Sequence, residues 1–308
     1  MTKQNNQDKK MQVENPYSVQ AEEKKARLYS PFNYVGGEII EAPPIKTIHH
    51  SSIHQLLINE QISDLDVDVL ECIAEYNFLT ASLLYQIFIG DSQLSKNSIK
   101  NKVKKYHKYG LIDVFYVKYE TIINPDKSTG PKMFMLTEAA SQYLKKKRKV
   151  PMMKFNKREF SNIGNIYSKM SLNQFEINAK HSLSNLDDII RNKRVVARDL
   201  VFHLKSGITV SLISVKTDQR LDKLIDRIEK DIKKGIEVLL LVENNLEAIK
   251  LYKEIFDKTN LKDFNFLTDE LTLHSDKSFK FRTVKLSGKD YALVSRELQC
   301  IGGDGIVG

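Results

Sequence analysis

The sequence predicts a mixed fold: an α+β unit over residues 51–150 followed by an α/β unit over residues 172–300. Three observations carry this. A lysine-rich segment with helical apolar spacing, Ser95 to Tyr109, leads directly into two short β-rich runs around a turn-forming tip. Two further helical patterns precede it, so three helices and a hairpin lie in one short stretch. From residue 172 onward, helical and strand patterns alternate, the order that builds a layered α/β domain.

Composition sets the bounds. A chain of 308 residues with 41% hydrophobic residues can bury a sizeable core, and its length fits about two domains. The net charge of +9 and a pI near 9.2 favour an anionic partner, nucleic acid ahead of a membrane surface. Cys72 and Cys300 are the only cysteines, which rules out a disulfide framework or a cysteine-rich metal site and fits a reducing cytoplasm. The polar start has no apolar core of signal-peptide length, and no run of about 18 apolar residues occurs, so neither secretion by that route nor a membrane span is expected. Lysine far exceeds arginine and tryptophan is absent, a bias resembling that of low-GC bacteria and their plasmids and phages.

Taken in order, residues 1–50 carry few aliphatics and a Pro43-Pro44 pair, and are expected to form a disordered polar arm. The run DLDVDVLECIAEY sets Leu65, Val69, Leu70, Ile73 and Tyr76 on one helical face, with Asp64 near its positive end. Thr80 is the expected N-cap of a second helix, Ala81 to Ile89, and Ser95 that of a third. The third helix holds Lys96, Lys100, Lys102, Lys104, Lys105 and Lys108 with no acid, while Ile99, Val103 and Tyr106 recur at helical spacing. One face can pack while the other meets phosphate. Gly110 offers the left-handed residue that ends this helix, VFYVKYETII and KMFML read as paired strands, and Asn124 to Pro131 form the tip. A helix begins at Thr137 and runs into the cations Lys145, Lys146, Lys147, Arg148 and Lys149; residues 151–171 read as a basic linker.

The second unit starts with NQFEINAKHSLSNLDDII as a helix. RVVARDLVFHL and GITVSLISVKT follow as strands meeting at a Ser206-Gly207 turn, then RLDKLIDRIEKDIKK as an amphipathic helix and IEVLLLVE as a buried strand. NLEAIKLYKEIF and FNFL add a helix and a strand. Past Thr268 the strands read as short and polar, and 301–308 as a flexible tail.

The trihelical pattern, KVKKYHKYGLI, the hairpin and PKMFMLTEAASQYL together resemble a winged helix-turn-helix. Placed ahead of an α/β unit, the arrangement resembles the plasmid replication-relaxation family of Gram-positive bacteria and their mobile elements, over residues 60 to 250. The resemblance implies binding of double-stranded DNA at a plasmid, phage or conjugative locus, with a role in replication, relaxosome function or transcription control. Replication, relaxase or coupling proteins are the implied protein partners, and a homodimer is left open. In such a domain the third helix enters the major groove. Asn97, Ser98, Lys100, Asn101 and Lys104 are then the candidates for base edges, Lys105 and Lys108 for phosphate, and Lys96 belongs to the same set. Lys127, Ser128 and Thr129 at the hairpin tip are candidates for backbone or minor-groove contact. Winged helices also serve as protein-interaction modules, a separate reading of the same residues.

The helix, strand, strand, helix, strand order of the second unit resembles a restriction-endonuclease-like core, whose strand acid and acid-x-Lys triplet hold a divalent metal. Asp199 and Lys216 occupy the matching places, with Glu176 on the preceding helix and Gln219 nearby. Where the triplet needs a carboxylate the chain has Ser214, whose hydroxyl cannot supply the anionic charge that binds Mg²⁺. The site is therefore read as degenerate, with neither catalytic residues nor metal nor cofactor assigned, and a metal-dependent DNA nuclease is the alternative. No Gly-rich phosphate loop, HExxH, GxSxG or Cys/His zinc pattern occurs elsewhere.

Overall fold

The structure, a computed structural model, describes residues 38–42, 44, 46–88, 94–118, 132–148, 163–183, 185–191, 199–216, 220–243, 245–262 and 264–268, and the backbone of 280–287 and 290–297. Within them the chain is of mixed α+β class, with eight helices and two sheets. No helix among the described residues is long and apolar enough to cross a membrane.

Local capping chemistry fixes the helices of the first unit. Helix α1 spans His50–Ile58, α2 Asp64–Tyr76, α3 Ala81–Ile87, α4 Lys96–Lys108 and α5 Glu138–Arg148. The Thr80 and Ser95 side chains accept the amides of Leu83 and Ser98 at 3.2 Å each, as their residue types predict. Helix α4 ends in paired bonds: the Leu111 amide donates to the Tyr106 carbonyl at 2.9 Å and the Gly110 amide to the His107 carbonyl at 3.2 Å. This closure needs a left-handed residue, and Gly110 supplies it at φ 72°.

Four strands complete the unit. They are β1 (Glu38–Ala42), β2 (Leu79–Thr80), β3 (Ile112–Lys118) and β4 (Met133–Leu136), in the order β1-β3-β4-β2 with antiparallel pairs throughout. Strand β1 corrects the expectation of a disordered arm over 1–50. Residues 38–42 pair with β3 from Glu38↔Lys118 to Ala42↔Val114, because β3 otherwise presents an open edge and Ile39 can pack against the core. The chain then crosses the end of α4, where the Ala42 carbonyl lies 3.1 Å from His107 Nε2. A Cβ on Gly110 would sit 2.2 Å from the Lys46 carbonyl oxygen, so Gly110 serves both the helix end and this crossing.

Helix α6 (Ile163–Ser182) overturns the basic-linker assignment for residues 163–171. It is buried along almost its whole length because it carries two apolar faces. Ile163, Ile166, Tyr167, Met170 and Ile177 enter the first unit's core, whereas Leu172, Phe175, Ala179 and Leu183 enter the core under the second sheet. The sequence LDDII, expected to prolong this helix, instead forms most of β5 (Leu186–Arg191).

Strands β6 (Asp199–Leu204) and β7 (Thr209–Ser214), helix α7 (Leu221–Lys233), strand β8 (Glu237–Val242), helix α8 (Asn245–Thr259) and strand β9 (Phe264–Thr268) follow. Gly207, at φ 83°, turns β6 into β7. Strands β10 (Lys280–Ser287) and β11 (Asp290–Glu297), eight residues each, pair antiparallel and are longer than the short polar strands expected there. The seven-stranded order is β11-β10-β9-β8-β7-β6-β5, with β7-β8 and β8-β9 parallel and the rest antiparallel. Helix α6 packs on one face; α7 and α8 pack on the other, around Ile213, Leu240 and Phe266. Residues 1–37 of the arm and the 301–308 tail lie outside the described residues.

Two expectations concern the β1 crossing. Gly110→Ala should destabilise the protein by about 2 kcal/mol from the left-handed backbone alone, with faster hydrogen exchange at the β1 amides. Burial, and then the carboxylate of Glu41, push Asp113 on β3 up to about 6, against a smaller opposing effect of His107. A carboxyl raised on folding contributes stability in full below its unfolded value and loses it as pH rises through about 6. Asp113→Asn should therefore melt higher than wild type above pH 6, with the difference closing toward acid; an equal gap at every pH would reject the assignment.

Candidate nucleic-acid interface

The lysine helix is held by an acid that the sequence reading passed over. Asp66, in the first turn of α2, is 1% exposed. Its Oδ1 accepts Lys102 Nζ at 2.5 Å and the Tyr106 hydroxyl at 2.7 Å, while Oδ2 accepts Lys105 Nζ at 2.8 Å and the Ser63 amide at 2.9 Å. Two donors on each oxygen fill the carboxylate's acceptor capacity. Burial pushes this carboxyl up, but the bonds from Lys102, Lys105, Tyr106 and Ser63 outweigh it and hold it well below the usual carboxylate range. Ser63 closes the motif by accepting the Asp66 amide at 3.3 Å, so one residue caps α2 and anchors α4.

This anchor sorts the side chains of α4 into three sets. Ile99, Val103 and Tyr106 are buried in the core. Lys102 and Lys105 turn along the flank to Asp66, with side chains 18% and 35% exposed. Lys96, Asn97, Lys100, Asn101, Lys104 and Lys108 are exposed and form one outward face without an acid. Of the residues singled out by sequence, Ser98 is half-buried and Lys105 is paired internally, which separates both from that face. Lys127, Ser128 and Thr129 lie outside the described residues. The Ser63-x-x-Asp66 spacing was the sequence signal for the anchor, since it is the pattern of a reciprocal helix cap.

The charged nuclease-like positions are each taken up by a partner of their own. Glu176 on α6, 2% exposed, is bracketed by Arg191 at the end of β5, whose Nε lies 2.5 Å from Oε2 and whose Nη2 pairs with Oε1; Lys180 adds a contact at 2.8 Å. Burial pushes the Glu176 carboxyl up, but Arg191 and Lys180 hold it below its ordinary value. Asp199 opens β6 opposite Ile213, and its Oδ2 is 3.0 Å from Arg227 Nη2 on α7. Ser214 is fully buried and its hydroxyl finds no hydrogen-bond partner among the described residues. The Lys216 side chain is 0% exposed and sits 3.9 Å from Glu243, just past β8. Three ion pairs with three different elements thus take the groups that a metal site would have to bring together. Among the described residues no cluster of three or more His, Cys, Asp or Glu is placed to hold a metal ion.

Glu176 belongs instead to a polar stripe on α6 formed by Lys169, Asn173, Glu176 and Lys180, spaced four, three and four residues apart. Asn173 Nδ2 donates to the carbonyls of Tyr76 and Phe78 at 3.0 and 2.7 Å, satisfying the end of α2. The Arg191 guanidinium stacks 4.0 Å from the Tyr76 ring centroid and donates to Glu75 Oε1 at 2.7 Å. The stripe joins the two units through charge-assisted bonds. Burial pushes the Lys169 ammonium down to about 8, with Arg191 adding to that and Glu176 and Asp199 opposing it.

Arg191→Ala would leave Glu176 buried without its two-pronged partner, and should cost about 3 to 5 kcal/mol in chemical denaturation. The paired change Glu176→Gln with Arg191→Met, which removes both members of the buried pair together, should cost much less. No family model matches this chain, and neither a curated protein nor a solved structure is significantly similar to it.

Proposed function

We propose that this protein is a DNA-binding accessory or regulatory protein of a plasmid, phage or conjugative element, acting in replication, relaxosome function or transcription control. The observation that carries the reading is the outward face of α4. Four lysines and two asparagines, all exposed, stand on one helix beside the β3–β4 hairpin, and the flank lysines are already paired inside. Such a face offers charge to phosphate and amide groups to base edges.

Connectivity supports a winged helix-turn-helix for the first unit. Helix α2, strand β2, helices α3 and α4, then β3 and β4 follow in that order, and β2 closes the hairpin sheet from the β4 side. In this reading Asn97, Lys100, Asn101 and Lys104 meet base edges, and Lys96 and Lys108 meet phosphate. The likeness to the replication-relaxation family belongs to the same reading.

The order α6, β5, β6, β7, α7, β8, with β5 to β7 antiparallel and β8 parallel to β7, supports a restriction-endonuclease-like scaffold for the second unit. Its dispersed ion pairs favour a binding or assembly role over cleavage, with a replication, relaxase or coupling protein, or a second copy of the chain, as the partner.

The test is fluorescence-anisotropy binding of duplex from the protein's own locus against scrambled duplex over a salt series. Wild type should prefer the locus duplex and weaken steeply with salt. Lys100→Ala/Asn101→Ala/Lys104→Ala should lose the preference, whereas Lys96→Ala/Lys108→Ala should weaken both duplexes alike, with the log-log salt slope shallower by about 1.8 for the two phosphate-facing lysines removed. A folded wild type that binds neither duplex would overturn the reading in favour of a protein-interaction module. Mg²⁺-dependent nicking that disappears in Asp199→Ala would instead establish the nuclease.

A further inference from the structure

We propose that Asp66 is a specificity-determining residue for DNA: by holding Lys102 and Lys105 against α2, it withdraws two cations from the binding surface and sets the roll of α4 that presents Asn97, Lys100, Asn101 and Lys104. This rests on the DNA-binding reading of α4.

A helix with six lysines and no acid would attract any duplex, since each phosphate neutralised adds affinity without reading sequence. Discrimination comes from base contacts, so a cation beyond those needed for positioning strengthens wrong and right sites alike. Asp66 takes two of the six. Lys102 and Lys105 lie 2.5 and 2.8 Å from its oxygens, whereas Lys96, Lys100, Lys104 and Lys108 are exposed.

The same carboxylate also sets orientation. Its contacts at positions 102, 105 and 106 span one turn of α4, and its bond to the Ser63 amide ties that turn to the start of α2. Rotating α4 about its axis would break these contacts together, because side chains three and four residues apart share one flank. Positions 97, 100, 101 and 104 are therefore aimed by an acid that has no place on the binding surface, which makes Asp66 a positioning residue.

The experiment uses the full chain, fluorescence anisotropy, and two probes, duplex from the protein's own locus and a mixed-sequence duplex, over a potassium chloride series. Asp66→Asn keeps the size and an acceptor but removes the charge, so Lys102 and Lys105 are released. It should bind the mixed-sequence duplex more tightly at low salt, with a log-log salt slope steeper than wild type by up to about 1.8. Its preference for the locus duplex should narrow by about tenfold, the scale of one good base contact.

The variant Asp66→Asn/Lys102→Gln/Lys105→Gln leaves no buried charge unpaired and keeps the test open if the single change unfolds. Its salt slope should equal that of wild type, because those lysines were never offered to DNA. A slope shallower than wild type by about 1.8 in the triple variant would show Lys102 and Lys105 on phosphate and overturn the proposal, as would an unchanged slope in folded Asp66→Asn. Absence of binding by wild type to either duplex would defeat the DNA reading itself, an outcome distinct from either of those.

Discussion

The first unit depends on one buried carboxylate. Helix α4 is too cationic to lay a flank on a core unless its charges are answered there, and Asp66 answers two of them from the facing helix. An apolar residue at that position would leave Lys102 and Lys105 to turn outward and the Tyr106 hydroxyl to find another partner. With the acid in place, the three apolar positions of α4 seat in the core and its C-terminal turn reaches Gly110. The hairpin starts from there, β1 pairs along its outer edge, and the chain after β1 crosses the end of α4. Cap, roll and hairpin origin are consequences of a single ionic arrangement.

A second constraint operates at α6. A helix that faces two cores has little solvent side on which to place polar residues, and a buried charge on it needs a partner. The stretch from Asn173 to Lys180 does this between the two layers, with Asn173 closing the end of α2 and Glu176 gripping Arg191. Tyr76 is the common contact, its backbone carbonyl held by Asn173 and its ring covered by Arg191 and Lys180. The two units are thus joined by a shared helix and a network of charge-assisted bonds.

The α/β unit shows how spacing and geometry part company. Glu176, Asp199 and Lys216 stand at intervals that suit a metal site, yet each is bound to a neighbour of opposite charge on a different element. Asp199 shares a register position with Ile213, whose side chain belongs to the core on the α7–α8 side, and Arg227 of α7 meets it there. These pairs clamp α6 to β5, β6 to α7 and β7 to β8. The charges that remain at these positions serve to hold layers together.

Much of this was legible in the residues themselves. Local rules suffice for features set by a few neighbouring groups. The caps at Thr80 and Ser95, the left-handed Gly110, the three apolar positions of α4, the Gly207 turn and the amphipathic α7 all follow from short-range sterics and periodicity. Features that depend on distant partners were not legible in the same way. Residues 38–42 become a strand only because β3 offers an edge, and residues 163–171 become helix interior because Ile163, Ile166, Tyr167 and Met170 seat in the core of a unit whose other members lie far away in sequence. Lys105 and Lys100 are indistinguishable in sequence, but tertiary structure separates them, since only one lies within reach of a buried acid 39 residues away. The sequence by itself determined the helices, strands and turns set by local caps and periodicity, and where positive charge gathers. Only the tertiary structure decided which charges face outward, because an ion pair between helices depends on how they pack.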